Sequence, residues 1–142
     1  MVSLTQYCPN CWFETGPDDR VCPSCGFLMA AFDSLGYGGK LLLALKHPIP
    51  ENRVLAIQLL GEIKSGSAVP AFATIIEEEE DPYILRAIAY ALARIGGDPA
   101  RALVARLVSH PSVIVRHSAV DALRAIPGGD PEDHEWRAPS ER

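Results

Sequence analysis

The residues best suited to chemistry are four cysteines, Cys8, Cys11, Cys22 and Cys25. They form two matched knuckles, Cys8-Pro9-Asn10-Cys11 and Cys22-Pro23-Ser24-Cys25, with ten residues between them. Each C-P-x-C turn presents two thiolates and backbone amides that can point at sulfur. Two such turns can place four thiolates tetrahedrally about one ion, at metal–sulfur distances of ~2.3 Å. Four thiolates leave no open coordination position, so the expected metal is one structural zinc rather than a catalytic ion. The same ligands hold iron, which is the chemical substitute. In a reducing compartment such a cluster reads as a metal site before it reads as disulfides. A thioredoxin-like redox centre needs one C-x-x-C inside a β/α unit, and the sequence has no such pattern.

The remaining polar residues build no second site. Serines, histidines and acids are present, but no motif sets a nucleophile beside a base and an orienting group, so no catalytic activity is expected. Gly36-Tyr37-Gly38-Gly39-Lys40 is glycine-rich, yet it lacks the spacing and the Ser/Thr of a phosphate-binding loop. His47-Pro48 and His110-Pro111 recur at equivalent places. They read as repeat architecture, with a protonated imidazole suited to a helix C-terminus, rather than as ligands. His117 is expected to face solvent, and His134, between Asp133 and Glu135, to offer at most weak adventitious metal binding. Glu77-Glu78-Glu79-Glu80-Asp81 reads as a solvated loop favouring the start of a helix at Pro82, with a docking patch for a basic partner as the alternative.

These residues must be positioned by a chain of 142 residues that is 48% hydrophobic, 22% charged and only 7% aromatic. The composition is globular, and the richness in Ala, Leu and Ile suits close-packed helices. The net charge of -5 disfavours a nucleic-acid surface, which should be basic. No basic segment followed by an apolar run opens the chain, and no stretch approaches the ~18 apolar residues of a membrane span. The expectation is a soluble cytoplasmic protein with no membrane partner.

Composition divides the chain into a cysteine-bearing segment at 1–30, a linker at 31–36, a helical zone at 37–127 and a polar tail at 128–142. The helical zone repeats. Asn52–Ile63, Ile84–Ile95 and Val115–Ile126 align at offsets of 32 and 31 residues, with apolar positions three and four apart. Ala56, Leu59, Leu60 and Ile63 match Ile88, Ala91, Leu92 and Ile95, and then Ala119, Ala122, Leu123 and Ile126. That stepping is a buried helix stripe. Phe72, Ile75 and Ile76 match Val104, Leu107 and Val108, with Leu41, Ala44 and Leu45 one period upstream, which predicts a second helix in each unit. Asp81-Pro82 and Asp98-Pro99 each predict an N-cap acid before a first-turn proline. Gly96-Gly97 and Gly128-Gly129 predict helix ends. A period near 31 with two helices per unit predicts a short α-solenoid.

Two resemblances follow from these motifs. The segments 37–127 resemble the short HEAT-like repeats of phycobilisome lyase proteins, through V-R-x-x-A-x-x-A-L-x-x-I at Val115–Ile126 and the D-P-x-x-x-L helix start at Asp98. The repeat's helix arginine is kept as Arg53 and Arg116, while the middle copy has Leu85. Residues 5–29 resemble the short zinc ribbons of bacterial N-termini, except that Trp12 stands where the first knuckle usually has glycine. A bulky residue there either distorts the turn or caps the ion with its ring. The resemblances imply a mainly α protein with a small zinc ribbon. The implied function is a protein–protein adaptor presenting second helices near 37–47, 68–79 and 99–109. The rival readings are an accessory protein or lyase of tetrapyrrole (bilin) attachment, and a nucleic-acid module using Arg86, Arg94, Arg101, Arg106, Arg116 and Arg124. The partner is not written in the sequence. The last helix carries an internal-type stripe, so its open face is expected to be covered by Trp136 and the tail or by a second copy, giving a homo-oligomer. The helical part is expected to fold without the ribbon.

Overall fold

The computed structural model describes residues 5–127. Among these, two short strands precede seven helices: β1 (Gln6–Tyr7), β2 (Glu14–Thr15), α1 (Met29–Asp33), α2 (Tyr37–Ala44), α3 (Pro50–Glu62), α4 (Ala68–Glu78), α5 (Pro82–Ile95), α6 (Asp98–Leu107) and α7 (Val113–Ala125). The three aligned segments become α3, α5 and α7, and the intervening second helices become α2, α4 and α6. The expected mainly α, repeat-built fold is therefore what forms. Among the described residues, no helix is long and apolar enough to cross a membrane. The expectations placed on Gly128-Gly129, His134 and Trp136 lie outside the described residues.

The chain divides within α3 into two compact units, one ending at Leu60 and the other beginning at Gly61. In the first unit, β1 and β2 pair antiparallel, with Gln6 opposite Thr15 and Tyr7 opposite Glu14. A single bridge between Val21 and Leu28 repeats that pairing fourteen residues on. The stretch read as a linker begins inside α1. Helix α2 buries Leu41, with Leu45 beneath its last turn, and α3 buries Ala56, Ile57 and Leu60.

In the second unit, α5 is the central helix and packs against α4, α6 and α7. It buries Ile84, Leu85, Ala87, Ile88, Ala89, Ala91 and Leu92, a wider face than the stripe predicted from the repeat. A helix with neighbours on several sides needs more than one apolar row. Phe72 of α4, Val104 and Leu107 of α6, and Val115 and Ala119 of α7 complete this core. Ile63 departs from the predicted stripe. Helix α3 ends at Glu62, Lys64 turns back with φ 51°, and Ile63 is left exposed.

Local chemistry explains the helix ends. The Asp81 carboxylate accepts from the Tyr83 backbone N–H at 2.9 Å, with Pro82 opening α5, as the sequence predicted. Asp98 is different: it is the first residue of α6, and Gly97 is the N-cap. Gly96 and Gly97 have φ of 70° and 88°, so the break between α5 and α6 uses two residues free of the Cβ penalty. With the chain turned there, Asp98 enters the first turn, where its charge favours the helix dipole without a capping bond.

Candidate metal centre

The knuckles are built twice on the same hydrogen bonds. Cys8 N–H donates to Phe13 O and Cys22 N–H to Phe27 O, both at 2.9 Å. Trp12 N–H donates to Cys8 O at 2.8 Å, and Gly26 N–H to Cys22 O at 2.9 Å. Inside each turn the amide two residues after the first cysteine points at its sulfur, Asn10 N–H to Cys8 Sγ and Ser24 N–H to Cys22 Sγ, both at 3.4 Å.

The two turns bring all four sulfurs within 4.8 Å of one another. Cys8 Sγ lies 3.6 Å from Cys25 Sγ, and Cys11 Sγ lies 3.6 Å from Cys22 Sγ. A tetrahedron with ~2.3 Å metal–sulfur bonds has edges of about 3.8 Å. Disulfides need about 2.05 Å, and all four cysteines are free. The donor set thus fits one tetrahedral metal ion and no disulfide. Cys8 and Cys22 are buried, whereas Cys11 and Cys25 are exposed.

The thiols are not electrostatically equal. The Asn10 side-chain amide and the Phe27 backbone N–H draw Cys25 down to about 6. At Cys11 the Phe13 N–H also pulls downward, but desolvation and the neighbouring thiols of Cys25, Cys22 and Cys8 outweigh it and raise the group to about 11. A bound cation would favour the thiolate at both of these ligands.

Position 12 resolves the question raised by the missing glycine. Trp12 adopts φ 63° and Gly26, its equivalent, φ 77°. The turn is kept rather than distorted, and the tryptophan bears a conformation that glycine would take without strain. Its ring packs on His47, with centroids 4.2 Å apart and planes at 56°. Its indole Nε1 is buried without a hydrogen-bond partner.

The outer contacts of the cluster were not legible in the sequence. Asn10 Nδ2 donates to Cys25 Sγ at 3.5 Å, and Asn10 Oδ1 accepts from Lys46 Nζ at 3.1 Å. Lys46 lies 36 residues from Asn10, just past α2, so no local spacing links the two. The Lys46 ammonium is thus two contacts from a sulfur of a site whose four thiolates with a divalent ion would carry two negative charges. Such outer partners orient ligands and tune the metal.

His47 and His110 share one motif. His47 Nδ1 accepts from Ile49 N–H, and His110 Nδ1 accepts from Ser112 N–H, both at 3.0 Å. They are repeat architecture, as expected, each ring accepting the backbone N–H that leads into the next helix. An imidazole must leave Nδ1 unprotonated to accept. His117 is exposed on α7, as expected.

The remaining candidates do not converge. Arg116 donates to the carbonyls of His110 and Pro111 at 2.9 and 2.8 Å. Arg106 pairs with Glu77 at 3.3 Å and Arg94 with Glu62 at 3.5 Å, all four side chains being more than half exposed. Arg101 donates to Ile126 O. The six arginines are thus spread over α5, α6 and α7 rather than forming one stripe. In the acidic run, Glu77 and Glu78 close α4, while Glu79 and Asp81 shape the turn into α5. Gly36 is the N-cap of α2, and the residues after it are the first turn of that helix.

Residues 40–124 match the family model described as HEAT repeats. No curated protein matches the chain.

Proposed function

The chain belongs to the HEAT-repeat family, and on that premise we propose that it is a zinc-bearing, non-enzymatic adaptor between proteins in the cytoplasm. The carrying observation is the repeat itself, two helices per unit over residues 40–124, because such repeats commonly mediate protein interactions. In the second unit, α4 and α6 expose Thr74, Ala102 and Ala105 beside the Glu77–Arg106 pair. Small side chains flanked by polar groups suit an extended segment of another protein. The four-cysteine cluster supports zinc as the ion, because a closed thiolate tetrahedron supplies folding free energy rather than reactivity.

Two measurements test this reading. Elemental analysis of reduced protein purified without added metal should find one zinc per chain. A value near zero, or iron in its place, removes the zinc. Affinity capture with mass spectrometry should return the same protein with wild type and with a Cys22→Ser/Cys25→Ser variant if the repeats alone recruit it. It should return that protein only with wild type if the metal end contributes. Capture of nothing by either refutes the adaptor reading.

A further inference from the structure

The outward face of α5 carries aromatic and basic side chains, and an acidic run leads into the helix. Tyr83, Arg86, Tyr90 and Arg94 follow one another at helical spacing and are all exposed. Tyr83 is 60% exposed and Tyr90 38%, and Arg86 lies over the Tyr90 ring at 5.8 Å. Just before the helix come the five acids of residues 77–81, of which Glu77, Glu78 and Glu80 are exposed and Glu77 is paired with Arg106. At the other end, exposed Arg94 is joined by exposed Arg124, near the end of α7, which packs beside α5. From Pro82 to Pro127 the chain has six arginines and only two aspartates, Asp98 and Asp121. Asp121 stands on α7 at the repeat equivalent of Tyr90.

We propose that this face is a dimerisation surface and that its occupant is the same face of a second copy, laid antiparallel about a two-fold axis level with residues 87–89. The register is self-complementary. Arg86 and Tyr90 are equally distant from that level, so each arginine meets the partner copy's tyrosine ring and the cation–π contact seen within one helix is repeated between two. Arg94 lies about 18 Å along α5 from Pro82 at 1.5 Å per residue, and the acidic run stands just before Pro82, so an antiparallel copy brings each basic end toward its opposite. An isologous contact repeats every such pair twice, which multiplies a modest attraction. Exposed tyrosine and arginine are the residue types enriched at interfaces. A polyanion such as a nucleic acid fits less well, because anything longer than the arginine end would run onto the acidic run.

Sedimentation equilibrium of the full, metal-loaded chain tests the proposal. At low salt the wild type should dimerise with concentration, and raising salt should weaken the dimer. Arg94→Glu, and separately Glu78→Lys/Glu80→Lys, should each weaken it at least ~tenfold, since each change converts two attractions into repulsions. Mixing the two variants should restore a dimer, because each supplies the charge the other lost. Arg94 also contacts Glu62, so the acid-side variant keeps the test valid if the arginine variant folds poorly. A wild type that stays monomeric at low salt, a dimer indifferent to both changes, or a mixture that does not associate overturns the proposal.

Discussion

Trp12 occupies a left-handed position that its knuckle's twin fills with Gly26, and replacing it with glycine or alanine separates two opposing effects. For a residue with a Cβ, the left-handed conformation costs about 1 kcal/mol. The buried indole N–H without a partner costs about 1–2 kcal/mol more. Against this, half-burial of the ring removes ~100 Å² from water, worth about 2.5 kcal/mol. The contact with His47 adds about 1 kcal/mol. Trp12→Gly loses the packing but recovers both costs, for a net loss of about 1 kcal/mol. Trp12→Ala loses the same packing and keeps the backbone strain, for a net loss of about 2 kcal/mol. Alanine should therefore be worse than glycine, the reverse of their order within a helix. Because folding of a small metal module is read as metal affinity, chelator competition for zinc is the assay. Affinity should fall about fivefold for glycine and about thirtyfold for alanine. Alanine binding as tightly as glycine would refute the strain, and glycine binding more tightly than wild type would refute the contribution of the ring.

Other outcomes follow from single contacts. A Cβ on Gly61 would lie 2.8 Å from the Ala91 Cα, so Gly61→Ala should destabilise by about 1–2 kcal/mol despite alanine's helix propensity, as a lower denaturation midpoint will show. Asp81→Ala removes the side-chain acceptor for Tyr83 N–H and should cost about 1 kcal/mol, with Asp81→Asn close to wild type in the same assay. Lys46→Ala and Asn10→Ala should each lower zinc affinity about tenfold, while Lys46→Arg keeps most of it. Equal affinities across that set would show that Asn10 and Lys46 do not act on the metal. Chelation should raise amide exchange in α2 and at the start of α3 while α5 and α7 keep their protection. Uniform loss across all the helices would contradict a local role for the metal.

Much of the fold was legible because it rests on period. The 31–32 residue offset placed α3, α5 and α7 and their partners α2, α4 and α6, since a buried stripe must return every three or four residues. The four ligands were legible because both knuckles are local in sequence. Period failed where packing sets the number of apolar rows. The stripe omitted Ile57, Ala87 and Ala89, all buried, and included Ile63, which is exposed. Asp98 was read as a cap from its likeness to Asp81, but the two positive-φ glycines before it make Gly97 the cap. The contacts of Asn10 with Lys46 and of Trp12 with His47 join residues more than thirty apart, and residue type alone does not pair them.

The two units hold themselves together in different ways, and this bears on what a metal can control. The second unit buries large apolar side chains on α4, α5, α6 and α7, including Phe72, Ile84, Leu85, Ile88, Leu92, Leu107 and Val115. A core of that kind needs no ligand. In the first unit, the buried side chains before α2 among the described residues are Cys8, Thr15 and Cys22, two of them members of the four-cysteine cluster. Helix α2 has only eight residues and no side-chain cap, too short to persist on propensity alone. The residues just past its C-terminal turn are also the ones that hold the knuckle, Lys46 through Asn10 and His47 through Trp12. His47 in turn accepts the Ile49 N–H at the start of α3. A cation that fixes the four sulfurs therefore fixes the first knuckle, the end of α2 and the entry to α3 together. The expectation that all the helices fold without the ribbon narrows to those of the second unit. In the first, stability should rise with the logarithm of free metal, as linkage requires of any ligand that binds only the folded state.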